Sequence, residues 1–143
     1  MTSRIAGLFL AVTAAVAAPT IADWTHWRGP MRNGTSAETD LIDSWSIDGE
    51  NLLWSVDFTG RSTPVVLGNK VCVNGRVGEG VDRQEVAACY DVESGEQLWE
   101  HRVNVYHTTV PWTRAGWPSP AIDAETGYFY FQGVGGSFFC LDS

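Results

Sequence analysis

The groups in this sequence that could do chemistry are few and scattered. Histidines stand at 26, 101 and 107, with no i,i+4 pair and no H-x-H spacing, so they do not form a metal-binding set and read as surface or interface residues. Asp40, Asp43, Asp48, Glu79, Asp82 and Glu85 lack ligand spacing as well and read as solvated loop charge. Asp91-Val-Glu93-Ser-Gly95 and Asp123-Ala-Glu125-Thr-Gly127 look closer to an ion loop. A calcium loop of the EF-hand kind, however, needs oxygen ligands on a frame of about twelve residues closed by Glu. Neither segment supplies that frame, and a polar turn accounts for both. Gly133-Val-Gly135-Gly136 lies between strand-like runs, whereas a phosphate loop leads into a helix N-terminus, so it reads as a hairpin turn. Asn33-Gly34-Thr35 is at once a glycosylation sequon and a turn dipeptide. No Ser-centred nucleophile motif is present. The reading is therefore no catalytic residue and no metal ligand.

Cysteines at 72, 89 and 140 each sit in a strand-like run. The number is odd and the spacing fits no zinc or redox pattern, so the expectation is that each is a small buried hydrophobe. A Cys72–Cys89 bridge across one hairpin, leaving Cys140 unpaired, is the alternative. The one loop with binding chemistry is Asn104–Gly116, NVYHTTVPWTRAG. Its Tyr106, His107, Trp112 and Arg114 are of the types enriched at binding surfaces. The plainer reading is that Trp112 and Trp117 only cover a junction between structural units.

Charge narrows the partners. The 143 residues carry 9 Lys plus Arg against 17 Asp plus Glu, a formal net charge of -8, with Lys70 the sole lysine. Backbone binding to nucleic acid needs clustered basic groups, so nucleic acid is excluded as a partner, and an anionic membrane surface is disfavoured. Only 18% of residues are charged and seven are Trp, a composition that favours folded structure over disorder.

The elements that must position these groups follow from the punctuation of the chain. Arg4 precedes an apolar run from Ile5 to Ala18, and Thr20-Ile-Ala22 offers small residues at a cleavage site. This predicts a signal peptide over 1–22, an exported protein (periplasmic or extracellular), and no transmembrane segment once it is removed. The run falls short of the ~20 residues a spanning helix needs. A strap follows over 23–51.

From 52 on there is almost no helical periodicity. Short runs rich in Val, Phe, Tyr and Trp alternate with turn residues, an all-β signature. The predicted strands are Leu52–Asp57, Ser62–Leu67, Lys70–Gly75, Val86–Asp91, Glu96–Arg102, Ser119–Asp123, Gly127–Gly133 and Ser137–Asp142. The pattern also repeats. Trp54 and Trp99 are 45 residues apart, Ser62-Thr-Pro64 matches Pro118-Ser-Pro120, and Cys89-Tyr-Asp91 matches Cys140-Leu-Asp142. Each unit reads as four antiparallel strands in a meander, a propeller blade, with unequal spacing absorbed in loops. The second unit reaches Ser143 before its fourth strand. The segment 52–143 is therefore read as incomplete repeats, about two blades at the N-terminal end of a longer chain forming a ring of seven or eight.

The stretch CYDVESGEQLW, Cys89 to Trp99, resembles the tryptophan-docking motif of quinoprotein-type propellers, A-x-D-x-x-[ST]-G-x-x-x-W. Asp91, Ser94, Gly95 and Trp99 match it, and Cys89 stands in place of Ala. A second copy opens at Cys140-Leu-Asp142. The leading segment DWTHWRGPMRNGTS is similar to the start of secreted bacterial PQQ-like propellers. The resemblance implies that Trp54 and Trp99 pack between neighbouring blades against a turn, and that Asp91 and Asp142 bond the backbone of their own turns. Functionally it implies a non-catalytic extracytoplasmic binding or scaffold module that presents loops to a protein or glycan partner, with no cofactor in this segment. One alternative it leaves open is a quinone (PQQ)-dependent oxidoreductase, whose calcium-bound quinone needs a Glu/Asn/Asp set and is commonly flanked by adjacent cysteines, a pair not found here. The other is a BamB-like role in outer-membrane protein assembly.

Overall fold

The structure, a computed structural model, describes residues 23–105 and 111–143. The expected leader at 1–22, and Tyr106 and His107 of the candidate loop, lie outside the described residues. The β-branched and aromatic runs form two antiparallel sheets. In the first, β1 (Val65–Leu67), β2 (Lys70–Val77), β3 (Gln84–Asp91) and β4 (Gln97–Asn104) lie side by side in chain order. In the second, β5 (Ala121–Ile122), β6 (Tyr128–Gln132) and β7 (Phe138–Asp142) do the same. Among the described residues the only helical turns are 3₁₀ turns at Gly80–Asp82 and Trp112–Arg114, and no helix is long and apolar enough to cross a membrane.

One expectation about the units needs correction. Leu52–Asp57 enters no ladder. Rings in and just after it hold it instead: the Trp54 ring lies 6.5 Å from that of Tyr90, and the next residue after the segment, Phe58, meets Tyr90 edge-on at 6.3 Å. An extended segment committed through its rings to the face of a sheet is not free to pair along an edge. The second sheet has three strands, as expected of a unit that reaches Ser143 before its fourth.

Strand period and register decide which residues meet. Cys72 faces Cys89, which faces Trp99, while Ala87 faces His101. Val65, Cys72, Ala87 and Cys89 therefore share one face, and they form a buried cluster with Ile122, Phe129 and Phe131 of the second sheet. Trp99, Phe139 and Leu141 pack around its margin. Trp99 meets Phe129 edge-on at 5.6 Å, and Phe131 stacks on Phe139 at 4.7 Å.

The cysteines depart from the first expectation. Cys72 and Cys89 are buried but joined by a disulfide, and Cys140 is exposed. The cross-strand pairing of Cys72 with Cys89 makes the bridge, whereas Cys140 projects from the outer face of β7, away from the core. The N-terminal strap ties the sheets together. Trp24 exchanges backbone hydrogen bonds with Val66 of β1, both 2.9 Å, and the Thr25 carbonyl accepts one from Ile122 of β5 at 3.0 Å.

Candidate functional site

Two opposite ends of the first sheet carry the residues of interest. At the β3–β4 end, Asp91 organises the turn: its Oδ1 accepts from the amides of Glu93 (3.1 Å) and Ser94 (2.8 Å) and from the Ser94 hydroxyl (2.9 Å). Hydrogen bonds from the backbone and side chain of Ser94 hold the Asp91 carboxyl below its ordinary range. Gly95 takes φ +73°, and a Cβ there would lie 2.6 Å from the Trp54 ring. Only glycine therefore lets the indole lie on this turn. The Trp54 Nε1–H donates to the Val92 carbonyl at 2.9 Å.

The same relation recurs one unit later. Val92 follows Asp91, and Ser143 follows Asp142; Trp99 Nε1–H donates to the Ser143 carbonyl at 3.2 Å. Lys70 Nζ donates to that carbonyl as well, at 2.6 Å. Asp91, Ser94, Gly95 and Trp54 thus come together at one turn, and Trp99 reaches the segment that Asp142 leads. The β5–β6 turn repeats the Asp91 chemistry: Asp123 accepts from the Glu125 amide (3.1 Å) and the Thr126 hydroxyl (2.8 Å), which lowers its carboxyl pKa. Turn hydrogen bonding accounts for Asp91 and Asp123.

At the other end, where β2 leaves, β3 begins and β4 finishes, the loop 111–117 folds back over the sheet. Arg76 and Arg83 approach the Trp112 ring, with Cζ 6.0 and 5.4 Å from its centroid. Arg61 and Arg114 approach the Trp117 ring at 5.3 and 5.7 Å. Guanidinium planes over indole faces are cation–π contacts that fix otherwise mobile side chains.

Three anchors hold this loop. Arg76 Nη1 donates to the carbonyls of Thr113 (3.0 Å) and Ala115 (3.5 Å). Gly116, at φ +73°, lies so close to Gly75 that a Cβ would fall 2.5 Å from its Cα. Beneath both, Glu85 Oε1 accepts from the Gly116 amide at 2.9 Å, and its Oε2 accepts from the Val134 amide at 2.6 Å. Beside Trp112 opens a cleft of about 350 Å³ lined by Thr59, Arg76, Val77, Gly78, Glu79 and Trp112.

Glu85 is only 1% exposed, which corrects its reading as a solvated loop charge. It sits in β3, one position before the predicted strand start, and points at the loop amides. The other loop acids, Asp40, Asp43, Asp48, Glu79 and Asp82, are exposed. His101 packs against Phe131 and Phe139, and His26 contacts Arg32.

Of the candidate loop residues, Trp112 and Arg114 fall on this platform. The sequence reading missed Arg61, Arg76, Arg83 and Glu85. The arginines are far from the indoles in sequence, so no spacing rule pairs them. Glu85 had a signal: an acid opening the run EVAACY, which is otherwise apolar or aromatic. No family model matches the chain, and no curated protein or solved structure shows significant similarity to it.

Proposed function

We propose that this chain is part of a non-catalytic, extracytoplasmic binding or scaffold module of propeller type, which displays the 111–117 loop to a glycan or protein partner. The observation that carries the reading is the platform of Arg61, Arg76, Arg83 and Arg114 over Trp112 and Trp117, pinned to a sheet end by Glu85. Binding surfaces gain from anchors ordered before the ligand arrives, because less side-chain entropy is then lost on association.

The propeller part of the reading is supported by the recurrence of one contact. Trp54 meets the turn after Asp91 as Trp99 meets the residue after Asp142. Opposite faces of similar sheets meet, so the contact is head-to-tail, the kind that closes into rings when repeated. Export is supported by the leader-like N-terminal sequence and by the Cys72–Cys89 disulfide, which persists in oxidising compartments.

The test is titration of the purified chain with panels of soluble oligosaccharides and peptides, followed by tryptophan fluorescence. Saturable binding that disappears in a Trp112→Ala/Trp117→Ala variant with unchanged circular dichroism is the expected result. Binding untouched by that variant removes the platform from the function. A tight complex with pyrroloquinoline quinone and Ca²⁺ that reduces a dye replaces the module with a quinone-dependent oxidoreductase.

A further inference from the structure

We infer that the Arg/Trp platform is a binding site for an acidic polysaccharide, with its guanidiniums taking the carboxylates or sulfates and the Trp112 cleft taking a sugar ring. This deepens the proposed function and rests on it. In a chain of net charge -8, four of the eight arginines gather at one sheet end. Like charges brought together repel, and their natural relief is a carboxylate. Glu79 and Asp82 are exposed nearby, yet neither forms an ion pair with these guanidiniums; the only ion pair among the described residues is Arg102–Glu100, at 2.7 Å.

Arg61, Arg83 and Arg114 are exposed and make no side-chain hydrogen bond to any of the described residues, which leaves their N–H donors open to a ligand. Their positions over indole rings nonetheless fix the direction of those donors. A planar fork of N–H groups held in place matches the two oxygens of an oxyanion. An external anion is the group this arrangement lacks.

Sugar, rather than peptide, follows from where the platform lies. An extended peptide is usually captured along an unpaired strand edge. This site lies at strand ends, on a loop. The cleft offers an indole surface, the Thr59 hydroxyl and the Glu79 carboxylate. That combination suits a flat ring bearing hydroxyl groups: the indole takes its apolar face and Glu79 accepts its O–H donors. Inside the cleft Glu79 offsets the Arg76 guanidinium, whose Nη1 is already engaged by the Thr113 and Ala115 carbonyls, so the acidic substituents are directed to Arg61, Arg83 and Arg114 outside it.

The experiment uses the full chain with polygalacturonate, its methyl ester, dextran sulfate, inorganic phosphate and polyglutamate, read by calorimetry and tryptophan fluorescence. Polygalacturonate, dextran sulfate or both are expected to bind, and the affinity should fall steeply as salt is raised across the range in which charge is screened. Arg83→Gln/Arg114→Gln is expected to weaken binding about tenfold or more, since charge-assisted hydrogen bonds are lost. Arg102→Gln removes a charge already paired with Glu100 and is expected to leave affinity unchanged. Equal binding of the methyl ester overturns the anion assignment while sparing the binding module. Binding of polyglutamate but not of the acidic glycans, or of phosphate alone, overturns the polysaccharide. Silence toward every ligand in this set and in the panels above overturns the module itself.

Discussion

Glu85 is the residue on which the platform rests. A carboxylate taken out of water is stable only when its lone pairs are met, and here two amides from different loops meet them. Replacing it with Gln leaves one acceptor oxygen and turns an NH₂ toward a second N–H. Glu85→Gln is therefore expected to lower the unfolding free energy by about 2 kcal/mol, the range for a hydrogen bond to a charged group, as checked by urea denaturation. The turn acids give a pH dependence of definite sign. Asp91 and Asp123 are held below their ordinary 3.8 by hydrogen bonds present only in the folded chain. A depressed folded-state value means that the stabilisation is complete above the unfolded-state value and is lost as pH falls through the folded-state value. The urea midpoint should hold on this account near neutrality and drop below about pH 4. An Asp91→Asn/Asp123→Asn variant should show a shallower drop.

At the scale of elements, the disulfide and the docked indoles hold the sheets. Cys72 and Cys89 are separated by 17 positions, and the bridge spans β2 and β3 inside the core. By loop-closure entropy, opening a loop of this length destabilises by about 3 kcal/mol. A Cys72→Ala/Cys89→Ala variant should show that loss in denaturant titrations, and dithiothreitol should produce it in the parent chain. Trp99 joins β4 to the second sheet through Phe129 and the Ser143 carbonyl. Trp99→Ala is expected to cost about 3 kcal/mol, the lower end for a large aromatic because the ring is only partly buried. A change below about 1 kcal/mol would remove Trp99 from the junction between sheets.

Across the whole molecule, the two sheets bury one shared face and leave another uncovered. On the outer face of the second sheet Tyr130 stacks against Phe138, which is 69% exposed, beside Tyr128 and Cys140. An aromatic sheet face in water is a place for association. Sedimentation of a Cys140→Ser variant without reductant, which keeps the Cys72–Cys89 bridge, should show concentration-dependent self-association. Phe138→Lys should shift it toward monomer without changing the circular dichroism.

The sequence by itself determined the β class and nearly every strand of the two sheets, because period-2 runs broken by Gly, Asn and Asp are local signals. It also determined the Asp91 and Asp123 turns, in which an acid bonds amides two and three positions on. Leu52–Asp57 was misread for the same reason: its local pattern is strand-like, and only the distant Tyr90 ring and Gly95 turn draw its neighbourhood out of a ladder. The Cys72–Cys89 bridge stayed undecided until register placed the two opposite each other. The Arg/Trp platform was illegible because its parts come from four separate stretches, and proximity between them arises only when β2, β3 and the 111–117 loop converge on Glu85. Local periodicity is written along the chain. Which charges share a surface is a property of the folded packing.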